Sequence, residues 1–135
     1  MPFVWYYAEQ VVTTPAGTAI ATPQQTTVPL QDSWVNRIKI RWPEGHNGLT
    51  GIYVTKSGLP IIPFGSPPTF ITANDDEEWF DVGDEVQDGL VVVTYNIGIY
   101  PHGHYLRIES VPIGQWLASG PETPNFTAME GLSSS

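Results

Sequence analysis

His102 and His104 stand two positions apart, and on an extended strand that spacing puts both imidazoles on one face. With a third ligand, such as His46 or a carboxylate, such a pair could take zinc. Two histidines flanking a glycine in a hairpin loop fit a solvated loop tip as well. A second candidate is acidic: Asp75, Asp76, Glu77, Glu78, Asp81, Asp84, Glu85 and Asp88 crowd a region that reads as loops. Calcium takes several carboxylates from a flexible loop, but this spacing follows no EF-hand pattern. The competing reading is charge pairing with Arg37, Lys39 and Arg41, within the chain or on a neighbour. No cofactor or metal is expected from either cluster. Nucleophilic catalysis has no support, since the chain lacks cysteine, a G-x-S-x-G elbow and a serine beside a plausible base. Neither G-x-G-x-x-G nor a Walker pattern occurs. The sequence does not read as an enzyme.

The basic residues are more telling. Three of the chain's five Lys and Arg lie in Ser33–Trp42, SWVNRIKIRW. Side chains in a strand alternate with period two. Trp34, Asn36, Ile38, Ile40 and Trp42 are therefore expected on one face, and Val35, Arg37, Lys39 and Arg41 on the other. This is the pattern of a half-buried antiparallel strand whose cations form a row.

Aromatic residues are the other resource, with five Trp, six Tyr and five Phe in 135 residues. Most are expected in a core. Trp5, Tyr7, Tyr100 and Trp116, near the termini or at a loop tip, are candidate interface anchors, and Phe126 is a further anchor in the C-terminal tail. Tyr53, Tyr100 and Tyr105 are the candidates for a glycan-stacking platform, should the module bind carbohydrate.

Positioning these groups falls to many short strands. The length fits one domain, and the 13 Gly and 13 Pro describe tight turns between strands. No stretch sustains a 3.6-residue apolar period. The expected fold is an all-β, single antiparallel sandwich of about eight strands, jelly-roll or immunoglobulin-like. The sandwich is expected over residues 1–113 and an arm or tail over 114–135. A net charge of −9 argues against nucleic acid as a partner. No apolar run approaches the roughly 20 residues that span a bilayer. The N-terminus lacks the marks of a signal peptide, so synthesis in the cytoplasm without export by that route is expected.

Several segments, in order, resemble small β-sandwich virion structural or head-decoration proteins of tailed bacteriophages. They are an aromatic first strand, a TTPA connection (Thr13 to Ala16), V-x-R-I-x-I-R-W-P-E-G-H-N-G-L (Val35 to Leu49), L-x-V-x-x-Y-N (Leu90 to Asn96) and H-x-L-R-I (His104 to Ile108). The resemblance implies a non-enzymatic part of a virus particle, on the capsid surface. It implies binding to the major capsid protein or another virion protein and to copies of itself, as a homo-oligomer. It carries over no catalytic or ligand residues.

Overall fold

The computed structural model describes residues 4–65 and 67–118. Eight strands follow one another: β1 (Tyr6–Thr14), β2 (Gln24–Val28), β3 (Ser33–Trp42), β4 (Thr50–Lys56), β5 (Leu59–Ile62), β6 (Asp76–Val86), β7 (Leu90–Asn96) and β8 (His102–Pro112). A short helix, α1 (Ile113–Ala118), comes last. One sheet runs β1-β8-β3-β6 and the other β2-β7-β4-β5, with antiparallel pairing throughout.

The first strand thus pairs with the eighth, the second with the seventh, the third with the sixth and the fourth with the fifth. That is one long antiparallel ribbon rolled into a sandwich, and its strand order is that of a jelly roll rather than an immunoglobulin-like fold. The tip of the ribbon is a two-residue turn. Ser57 and Gly58 both have positive φ, 51° and 81°, the backbone of a type I′ hairpin.

The core lies between the sheets. Val35, Ile38, Ile40 and Trp42 of β3 meet Ile52 and Val54 of β4, Leu90 and Val92 of β7, and Leu106 and Ile108 of β8. The two outer faces differ. Over the β2-β7-β4-β5 sheet, Phe70 packs on Tyr53 and Tyr95 with ring centroids 4.8 Å apart in both pairs. Ile71 exchanges backbone hydrogen bonds with Ile52 to hold that segment in place. Gly51 is the floor under it, since a Cβ there would lie 2.2 Å from the Tyr95 ring. This cover explains why β7 is nearly all buried. No comparable segment among the described residues crosses the middle of the other outer face.

Four details depart from the sequence reading. A bulge between Val35 and Arg37 shifts the phase of β3, so Val35 enters the core and Trp34 moves to the outer face. Alternation holds on each side of the bulge, but one extra residue separates the two halves. The acidic run belongs to β6 rather than to a loop, with six of its eight carboxylates on that strand. Alternation along the strand spreads them over both faces, which removes the clustered loop that calcium would need. β8 starts at His102, so the expected hairpin loop is shorter. The expected tail from residue 114 begins as α1, and residues 119–135, with Phe126, lie outside the described residues.

Candidate interaction surface

The register assembles the outer face of the β1-β8-β3-β6 sheet row by row. Tyr7, Glu109, Arg37 and Asp81 form one row; Glu9, Arg107, Lys39 and Trp79 the next; Val11, Tyr105, Arg41 and Glu77 a third. Four of the chain's five cationic side chains stand on this one face. The fifth, Lys56, binds the Asp84 carboxylate elsewhere and draws its pKa below the usual range.

Glu109 anchors the first row. Its side chain is 3% exposed, yet it accepts hydrogen bonds from Tyr7 Oη at 2.6 Å, Asn36 Nδ2 at 2.6 Å and Arg37 Nε at 3.0 Å. Burial alone would raise its pKa, but these three donors outweigh it and hold the carboxyl below the ordinary value. The bulge is what lets adjacent Asn36 and Arg37 reach one carboxylate. Arg37 also lies over the Trp79 ring, 4.0 Å from its centroid, and is largely committed within the chain.

The other cations make looser ion pairs, although Arg107 also lies over the Tyr7 ring, 4.6 Å from its centroid. Lys39 lies 3.7 Å from Glu77, Arg41 lies 3.6 Å from Asp75 and 3.8 Å from Glu77, and Arg107 lies 3.6 Å from Glu9. All four distances exceed hydrogen-bond range, and such exposed pairs contribute little. The expected pairing of basic row and acidic segment is therefore present within the chain, but loosely. Lys39, Arg41 and Arg107 line an open groove of about 240 Å³ with Glu9, Val11 and Tyr105. Val11 and Tyr105 are 52% and 45% exposed along it, and Tyr7, on the same face, is 47% exposed.

The tryptophan anchors lie at the end of the same face and pack on each other. Trp116 of α1 stacks on Trp34, with centroids 4.6 Å apart and planes 1° from parallel, and Trp5 lies 6.3 Å from Trp116. They clamp α1 onto the sheet and are half-buried. Tyr100 sits apart from this face, 67% exposed at the tip of the β7–β8 loop. Tyr53 belongs to the other sheet, beneath Phe70, so Tyr53, Tyr100 and Tyr105 form no common platform.

The histidines do converge. His46 lies 4.9 Å from His102 and 4.8 Å from His104, ring to ring. His46 spends both nitrogens on Thr50 Oγ1 (2.5 Å) and Gly103 O (3.0 Å). His104 is fully buried, and neither of its nitrogens has a hydrogen-bond partner. Burial, and then His46 and His102 nearby, push its pKa down to about 3. Among the described residues no group of three His, Asp or Glu could hold a metal ion.

Glu109, Asn36 and Arg107 escaped the sequence reading as members of this face. The alternation of Tyr105, Arg107 and Glu109 against Leu106 and Ile108 was the available signal, but only strand pairing sets them beside Arg37. Among known protein families no model matches the chain, and no curated protein is similar to it.

Proposed function

We propose that the protein is a non-enzymatic virion structural component, a capsid decoration or cement protein that binds the major capsid protein and copies of itself. The observation that carries this reading is the outer face of the β1-β8-β3-β6 sheet. A chain of net charge −9 collects four of its five cations there, interleaved with the carboxylates of Glu109, Asp81, Glu9 and Glu77, beside exposed Tyr7, Val11 and Tyr105. Complementary charge on such a face sets partner choice and register more than affinity. Repetition over a particle multiplies weak contacts. The jelly roll is an architecture that capsid domains use, which is consistent with the reading but carries no function by itself.

The test is cosedimentation with shells assembled from the major capsid protein encoded in the same genome. Wild-type protein is expected to pellet with the shells. Lys39→Glu with Arg41→Glu is expected to weaken binding by about tenfold or more while leaving the fold intact. Equal binding by both proteins would remove the role assigned to this face, and a wild type that never pellets would overturn the capsid reading.

A further inference from the structure

Three of the four sheet edges carry features that block strand addition. β6 has six carboxylates in its 11 residues and a left-handed Gly83, φ 59°. β2 has only 5 residues and runs into Pro29. β5 has 4, one of them Pro60. β1 has none of these guards. Its sequence is YYAEQVVTT, 9 residues with no Pro or Gly, one charge and a high share of aromatic and β-branched side chains. The carbonyls of Val11 and Thr13, at alternate positions, accept only side-chain amides that a second strand could displace, from Gln10 (3.3 Å) and Gln24 (3.0 Å). Among the described residues no strand lies beyond β1.

From this contrast we infer that β1 is where two copies of the chain meet, β1 pairing antiparallel with β1 of a second copy to give one continuous eight-stranded sheet. The guarded edges favour a second copy as the occupant. If edges meet edge to edge, β1 can meet only another β1, and a strand paired antiparallel with its own copy is two-fold and closes as a dimer instead of growing into a fibre. A register centred on Gln10 sets Glu9 opposite Val11 of the second copy and Tyr7 opposite Thr13. The two Glu9 carboxylates then do not face each other, which like charges directly across a ladder would oppose. This inference rests on the self-association part of the proposed function and is independent of the capsid part.

The experiment is mass by light scattering across a concentration series, with amide hydrogen exchange on the same samples. Wild-type protein is expected at twice the 14.9 kDa chain mass, with the Glu9 and Val11 amides gaining protection as the dimer forms. Val11→Lys, a lysine on the edge, is expected to give a folded monomer whose thermal midpoint no longer depends on concentration, while Leu59→Lys on β5 stays dimeric. A wild type monomeric at every concentration would overturn the inference. So would a dimer whose Glu9 and Val11 amides exchange freely, a reading that stands even if Val11→Lys fails to fold. A monomer protected at Glu9 and Val11 only when shells are added would also overturn it, assigning the edge to a shell-protein segment. A wild-type dimer that ignores shells would overturn the capsid reading and leave this one in place.

Discussion

Tyr7 donates a 2.6 Å hydrogen bond from its phenol to the Glu109 carboxylate, joining β1 to β8 on the outer face of the sheet. The same carboxylate takes Asn36 and Arg37 from β3, so one buried acid ties three strands together. Removing it takes a charged acceptor from three part-exposed donors, and a hydrogen bond to a charged group is worth about 1.5–3 kcal/mol. Glu109→Ala should therefore lower unfolding stability by about 2–4 kcal/mol in urea titration, whereas Glu109→Gln, which keeps an acceptor, should lose less. Equal stability of Glu109→Ala and wild type would contradict the anchoring role. The Tyr7 phenol, raised in pKa chiefly by this bond, should return toward its ordinary value in Glu109→Gln, which absorbance titration reads directly.

The stack of Trp116 on Trp34 holds α1 to the end of the same face. Ile113 N also donates to Asp32 O, and Gln115 Nε2 to Tyr6 Oη, so the helix has polar as well as aromatic fastenings. A six-residue helix has little stability of its own. Trp116→Ala should release it, at a cost of about 1–2 kcal/mol, and remove the near-ultraviolet circular dichroism of the coupled indoles. An unchanged spectrum in that variant would refute the stacked arrangement.

Acid should weaken the fold through His104. Its folded pKa, about 3, lies below the ordinary 6.5, so the imidazole stays neutral in the folded chain. The unfolded chain takes up a proton below pH 6.5, and stability is lost from there down to about pH 3. Each unit of difference corresponds to about 1.4 kcal/mol, so the effect is on the order of a few kcal/mol. His46, also lowered by burial, acts in the same direction. Glu109 and Asp84, both held below their ordinary values, add a loss only at lower pH, as their carboxylates protonate. His104→Leu gives up no hydrogen bond and should flatten the decline of the thermal midpoint between pH 6.5 and 4.5. An equally steep decline would place the acid sensitivity elsewhere.

The all-β class and the strand sequence could be read locally, because Ile38, Ile40 and Trp42 or Leu106 and Ile108 alternate cleanly with polar neighbours. The jelly-roll order could not, since it depends on β1 finding β8 across most of the chain. The bulge at Val35–Arg37 was hidden for a related reason: period two holds on either side, and nothing local marks the skipped step. Strict alternation puts Lys39 and Arg41 on the face they occupy, but it exchanges Val35 and Trp34. Acidic composition reads as loops between Asp75 and Asp88, yet Glu77 pairs with Arg41 and Lys39 as part of an edge strand. An edge tolerates such charges, and they guard it. In the sequence Trp5 and Trp116 read as interface anchors, because a terminal sequence does not reveal what it folds back upon.

The most direct test of the account is the salt-dependent binding of wild-type and Lys39→Glu/Arg41→Glu protein to shells of the major capsid protein from the same genome. Arg37 stays untouched in this pair, because it holds Glu109 and its loss would disturb the fold. Wild-type binding should weaken as salt rises, the double variant should bind about tenfold or more weakly at low salt, and both should give the same far-ultraviolet circular dichroism. Binding indifferent both to salt and to the two substitutions would contradict the role given to this face.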